Sequence, residues 1–574
     1  MPKKEEFLVP ELPPERGGKT LLEEPGIASP QGLRQEPEER PPLELKRMEV
    51  KAPQIKEDML QRSFMIDLKP HFVNLPALKD KAQIDVRYPL ISPFAIAHIY
   101  WDSTRNELIY ALEEPVLTAT EQEILRLLQI GLEEMINVSF IRAAKMDVLL
   151  DYLEKNVQSI IVELGLKVSK QTYQKLMYFV YRDAIGLNRI EPLMYDPYIE
   201  DIECNGIGFP LFIVHRKYEN IRTTITYPEG VELVDFVEKL AQKAGRYVSF
   251  AKPLLDGTLP DGSRVNATYT EDVTTRGPTF TIRKFTTDPL TPVHLIEQGT
   301  ASPEVFAYLW LAIEHKFNVM VIGETAAGKT TFLNAILYFV PPEARICSIE
   351  DTRELNLAHD NWLPAVTRSG FGMPRAGATY GEITLFDLLR ETFRQNPDYV
   401  VVGEIRGKEA YVLFQGMASG HPSFGTFHAA SVETLVRRLQ TPPINLPSSL
   451  VESLDIICVT THIKEPERSI RRLKMLNEIQ EVSQDVGKVK ANKLFEWNPV
   501  NDTIISHGNS VVLGRISRIT GIPAKELERE VKVRAKLLDE LHRRGIFNYK
   551  DVTNVFNAFY KNKKQVLKEF GIGS

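Results

Sequence analysis

Residues 323–330, Gly-Glu-Thr-Ala-Ala-Gly-Lys-Thr, are typed and spaced to hold a chain of phosphates. Small residues let backbone N–H groups close around phosphate oxygens. Lys329 supplies a point charge for the β- and γ-phosphates, and the Thr330 hydroxyl suits Mg2+. Gly323, Glu324, Thr325, Ala326, Ala327, Gly328, Lys329, Thr330 and Thr331 are therefore the expected nucleotide-binding residues, with ATP and Mg2+ as cofactors. An apolar run at 319–322 precedes the loop and a helical run at 331–339 follows it. The loop thus meets the positive end of a helix dipole. A plain glycine-rich turn before a helix is the bland alternative.

Carboxylates follow at the ends of later apolar runs. Glu404 closes 398–404, and Glu350, Asp351 and Glu354 crowd five positions after 345–349. A carboxylate at the C-terminal end of a buried strand can hold a metal or polarise a water for in-line attack. Such a loop is otherwise an ordinary acidic turn. His428 ends the run 423–427, where a histidine taken alone is more often structural.

These residues need a scaffold. Between 294 and about 463 short apolar strands alternate with helical segments, which predicts an α/β fold with a parallel sheet covered on both faces. Upstream, residues 94–100 and 107–112 read as a hairpin. Helical periodicity then runs to 185, giving a mixed, mostly helical domain over 61–190. Residues 191–286 form a smaller α/β unit, and Thr286–Pro292 reads as a hinge, with the linker placed at 287–293. Residues 294–470 are the core, and 471–574 a β-hairpin and helical C-terminal extension. One amphipathic face there carries Leu527, Val531, Ala535, Leu538 and Leu541; another carries Val552, Val555, Phe559, Val566 and Phe570. Residues 1–60 hold 10 of the 37 prolines and 23 charged side chains, so a disordered tail is expected.

Taken in order, the four segments resemble the secretion-ATPase superfamily of type II secretion, type IV pilus and type IV secretion motors. The resemblance covers about 190–470. Residues 323–330 resemble its Walker A motif, 349–355 its aspartate box, 400–407 its Walker B and 425–428 its histidine box. The wording Ile-Glu-Asp-Thr-Arg-Glu-Leu and Val-Gly-Glu-Ile-Arg-Gly looks most like the archaeal branch, which drives pili or the archaellum. The resemblance implies a RecA-like core, a homo-hexamer, ATP hydrolysis, and a polytopic membrane platform protein as partner. It makes Glu354 the general base, with Glu350 supporting the metal or water shell. Glu404 orients Mg2+ and His428 senses the γ-phosphate. Arg264 and Arg283 resemble arginines that reach the γ-phosphate when the smaller domain closes, with Arg276 a weaker candidate. For each arginine a surface ion pair is the alternative.

Composition narrows the classes. Net charge is −6, and no basic-aromatic stretch favours nucleic acid, so a RecA-like helicase is the lesser reading. A non-enzymatic, nucleotide-held scaffold is disfavoured by the four acidic and histidine positions. Three scattered cysteines offer no zinc module of the bacterial type. The longest clean apolar run, 305–313, is too short for a bilayer, and the N-terminus lacks a secretory pattern. A cytoplasmic protein, peripherally bound at the inner face of the membrane, is expected.

Overall fold

The computed structural model describes residues 64–573, except 70, 74, 77–80, 136–145, 286–287, 369, 376–377 and 466–467. The expected tail, and Thr286 and Thr287 of the expected hinge, lie outside the described residues.

Alternating apolar and polar positions produce nine strands upstream of the phosphate loop. They are β1 (Asp85–Ile91), β2 (Ala95–Asp102), β3 (Glu107–Glu113), β4 (Ile199–Cys204), β5 (Pro210–His215), β6 (Glu219–Thr226), β7 (Leu254–Thr258), β8 (Arg264–Thr268) and β9 (Thr279–Arg283). All lie in one sheet, ordered β1-β2-β3-β6-β5-β4-β9-β8-β7. The expected units 61–190 and 191–286 therefore share a sheet. The parallel pair β3–β6, through Ile109↔Arg222 and Tyr110↔Thr223, joins them. An unpaired β3 edge would leave backbone donors and acceptors open, and β6 satisfies them. Buried Asp196 fastens the seam, accepting hydrogen bonds from the Tyr88 and Tyr110 hydroxyls, each at 2.8 Å.

The second sheet contains β10 (Val319–Gly323), β11 (Ile346–Glu350), β12 (Trp362–Val366), β15 (Tyr399–Ile405), β16 (Ser423–His428), β17 (Ile456–Glu465), β18 (Arg468–Val482), β19 (Val489–Asn498) and β20 (Thr503–Ser506). A separate ribbon pairs β13 (Phe371–Arg375) with β14 (Ala378–Tyr380). The order β12-β11-β15-β16-β10-β17-β18-β19-β20 is parallel through β17 and antiparallel beyond it. This is the expected α/β, RecA-like core. Its continuous apolar strands, such as the fully buried Val319–Gly323, are what burial on both faces demands. The sheet runs on into the expected extension, because β18 to β20 pair successively onto β17.

Helices Ala524–Arg543 and Tyr549–Glu569 close one face of this core. Trp310, on the apolar helix Pro303–Glu314, packs against Phe339, Phe556 and Phe559 at centroid distances of 4.7–5.3 Å. At the expected hinge, Thr291 caps the helix Pro292–Glu297 and exchanges hydrogen bonds with His294. Among the described residues, no helix is long and apolar enough to cross a membrane.

Candidate active site

The phosphate loop springs from the central strand β10 and enters the helix Lys329–Ile336. Its glycines answer to local crowding. A side chain on Gly323 would put Cβ 2.5 Å from Thr460 Oγ1. Gly328 is the helix N-cap with φ +81°, a left-handed conformation that glycine adopts without strain. Ala326 is also left-handed, at φ +61°. Glu324, Thr325 and Ala326 are exposed, Ala327 is buried, and Thr330 and Thr331 are half-buried on the first helical turn.

Lys329 is 8% exposed and donates from Nζ to the Glu324 carbonyl at 2.9 Å. Burial holds its pKa below the usual lysine value, while Glu404 and Glu354 pull the other way. Its Nζ also lies 3.3 Å from His428 Nδ1. His428 Nε2 in turn sits 2.9 Å from Glu404 Oε1, and Glu404 Oε2 accepts from Arg406. Burial raises the Glu404 pKa, but the Arg406 hydrogen bond and charge, His428 and Lys329 outweigh it and hold the carboxyl below its ordinary range. Burial and Lys329 lower the His428 pKa. A neutral imidazole protonated on Nε2 satisfies both contacts.

Parallel pairing sets this chain of groups. Gly323 stands opposite His428 in the β10–β16 register, and the Thr426 hydroxyl donates to Gly403 O at 2.6 Å. Glu350 closes β11 beside them. Its Oε1 accepts the backbone N–H groups of Glu354 and Leu355, each at 2.9 Å, which folds the acidic loop back on the strand. Its Oε2 is buried without a partner among the described residues. Burial pushes the Glu350 carboxyl up to about 7, against the two N–H donors. Glu354 itself is exposed, and its charge is felt at Lys329, Arg283 and Arg406.

The structure brings two of the three arginines together: Arg264 and Arg283 stand at one end of the β8–β9 pair, and Arg276 precedes β9 at the other end. Arg264 and Arg283 stand opposite each other on β8 and β9. Arg264 pairs with Asp256 at 3.3 Å and Arg283 with Asp201 at 3.1 Å. The Glu354 charge adds to that of Asp201 in raising the Arg283 pKa; Arg276 lies over the Phe209 ring, 4.5 Å from its centroid.

Three residues had no role in the sequence reading. Arg406 bridges Glu404 and Asp351, and lay within the quoted Walker B wording. Arg471 donates from Nε to Ala326 O at 3.0 Å. As the two lie 145 positions apart in the chain, nothing local could have signalled it. Arg353, inside the aspartate box, lies over two aromatic rings.

The residues fit a magnesium nucleotide. The left-handed cradle, the enclosed ammonium of Lys329, the Thr330 hydroxyl and the orphaned Glu350 Oε2 all suit a polyphosphate with a hard cation. Among the described residues no group of three or more His, Cys, Asp or Glu could enclose a metal ion, so most ligands of such a cation would come from phosphate and water.

Comparison with known proteins gives the chain's family. The family model for type II/IV secretion system proteins matches residues 194–496. An uncharacterized protein of Methanocaldococcus jannaschii is 40% identical over 400 residues, 69% of this chain and 71% of that protein. The type IV secretion system protein PtlH of Bordetella pertussis is 29% identical over 281 residues, covering 42% of this chain and 81% of its own. A crystal structure of the VirB11 ATPase from the Brucella suis type IV secretion system aligns at 24% identity and a TM-score of 0.25, over 50% of this chain and 92% of that one. The chain belongs to the type II/IV secretion system protein family, within the secretion-ATPase superfamily.

Proposed function

We propose that this chain is an ATP-hydrolysing, Mg2+-dependent subunit of a homo-hexameric motor. It would power assembly of a type IV pilus-like filament, or type II/IV-like secretion, in an archaeon. It would act at the inner face of the cell membrane through a polytopic platform protein. The observation that carries the reading is the line Lys329–His428–Glu404–Arg406 beneath the phosphate loop. The extensive match to a methanogen protein supports the archaeal branch.

In this mechanism the loop amides and Lys329 bind the phosphates. Thr330 and Glu404 would hold Mg2+, directly or through water, and a bound ion would supply charge withdrawal from the phosphate oxygens. Glu354 takes a proton from the water that attacks the γ-phosphorus as the bond to the bridging oxygen breaks. Glu350 holds the loop of that base in place, and His428 links Lys329 to Glu404. Arg264 and Arg283 exchange Asp256 and Asp201 for the transferred phosphoryl when the sheets close, since a guanidinium stabilises its spreading charge. That exchange gives the nucleotide differential contact with two arrangements, as any driven conformational change requires.

Phosphate release by the full-length chain tests the assignment. Lys329→Ala should keep the wild-type melting temperature within a few degrees and lose turnover, whereas undiminished turnover would move the site. Glu354→Gln should bind ATP normally and hydrolyse it at least about 100-fold more slowly. Turnover stimulated by single-stranded DNA with a steep salt dependence would favour a nucleic-acid motor instead.

A further inference from the structure

The end of β9 delivers three consecutive side chains to three places. Arg283 pairs with Asp201 of the neighbouring strand β4. Lys284 turns into its own unit, where Nζ donates to the carbonyls of Leu193 and Asp196. Phe285 turns the opposite way, onto the ATPase core, and its ring meets the Arg353 guanidinium with 5.4 Å between Cζ and the centroid. The same guanidinium lies 5.2 Å from the Trp362 ring centroid.

Both rings are firmly held. Phe285 N donates to Ser263 Oγ at 3.0 Å, and a side chain on Gly262 would bring Cβ 3.0 Å from the Phe285 ring. Trp362 begins β12 and donates from Nε1 to Ser348 Oγ at 2.9 Å. Arg353 is the adaptable member. Its Nε is buried and has no hydrogen-bond partner among the described residues, so the rings rather than acceptors hold it. The residue after it is Glu354, whose N–H is tethered to Glu350. A shift of the first sheet therefore moves Phe285, and Phe285 can turn Arg353 at the base of the loop that carries Glu354.

We propose that Arg353 is a positioning residue, clasped between Phe285 of the first sheet and Trp362 of the core, which makes the aim of Glu354 depend on where the first sheet stands. Hydrolysis is then coupled to sheet closure by packing as well as by Arg264 and Arg283. The idea rests on the ATPase reading above. A planar guanidinium stacks on an aromatic ring in a way that an ammonium or an aliphatic side chain cannot reproduce.

The test uses the full-length chain, with ATP for turnover and ADP for calorimetric affinity. Phe285→Ala and Arg353→Lys should each lower kcat about tenfold, the scale of losing one desolvated cation–π contact. ADP affinity should stay within about twofold, because neither residue touches the phosphate loop. Phe285→Trp should restore most of kcat, and Phe285→Ala with Arg353→Ala should be no worse than the poorer single variant. A purely structural role predicts matched losses of melting temperature, affinity and kcat, with additive effects, and would overturn the proposal. Wild-type kcat in Phe285→Ala would overturn it too, while leaving the ATPase reading intact. A wild-type chain releasing no more phosphate than Lys329→Ala would remove both.

Discussion

Lys329 Nζ and His428 Nδ1 lie 3.3 Å apart although 99 residues separate them in the chain. The parallel register of β10 and β16 brings them together, and the contact gives the histidine a defined tautomer. Lys329 donates to Nδ1, so the ring proton sits on Nε2 toward Glu404. Replacing His428 with Ala breaks both contacts. Hydrogen bonds to charged groups are worth about 1.5–3 kcal/mol, so kcat should fall about 10- to 100-fold. Protonation of His428 abolishes the Nδ1 acceptor. Because burial and Lys329 lower its pKa, this loss should set in on acidification below the ordinary histidine value of 6.5. A pH–rate profile of wild type against His428→Ala checks it, since only the wild type should show that limb.

Gly403 makes room for Glu350. A Cβ there would stand 2.8 Å from Glu350 Cγ, closer than real contacts allow. Gly403→Ala should therefore displace the carboxylate that anchors the Glu354 loop. Overpacking of this kind costs about 1–3 kcal/mol. The catalytic loss should exceed the stability loss, with kcat down at least tenfold, about 1.4 kcal/mol of barrier. Thermal unfolding and phosphate release on one preparation separate the two effects.

Glu350 should also leave a mark on stability against pH. Its carboxyl is raised from 4.5 to about 7, so the fold favours the protonated form. The stabilising contribution is complete below the unfolded value near 4.5 and is lost as pH rises through about 7. Glutamine mimics the protonated acid and keeps an oxygen for the two N–H donors. The stability of Glu350→Gln relative to wild type should therefore grow between pH 5 and pH 8, by up to about 3 kcal/mol. Denaturant titrations at the two pH values measure it, and a flat difference would contradict the buried, unpaired Oε2.

Arg534 fastens the C-terminal helices to the core. It is 3% exposed, pairs with Glu314 at 2.5 Å and Glu530 at 2.9 Å, and lies over the Trp310 and Phe559 rings. Removing one partner of a buried ion pair costs about 3–5 kcal/mol. Arg534→Ala should lower stability by that amount, and Arg534→Lys should recover only part, because an ammonium lacks the planar fork. The midpoint of denaturant unfolding reads both.

The phosphate loop was legible because its chemistry is local: eight consecutive residues, a strand before and a helix after. The amphipathic faces of the last two helices were legible for a similar reason, and Leu527, Leu538, Leu541, Val552 and Phe559 are buried where periodicity put them. Arg534 was not, since a cation on a helix reads as solvated until partners from other elements surround it. The shared sheet escaped notice too, because the β3–β6 pair joins residues more than a hundred apart.

The sequence by itself determined which residues can do chemistry and roughly which elements carry them, since residue type, spacing and hydrophobic period are local properties of the chain. Tertiary structure alone decided which of them meet. Strand register put His428 between Lys329 and Glu404, and the surroundings rather than residue type separated the protonation preferences of two glutamates: burial dominates at Glu350, while Arg406, His428 and Lys329 dominate at Glu404. Packing between the two sheets set Phe285 against Arg353. Such relationships depend on distances and desolvation between segments far apart in the chain, and those exist only once it has folded.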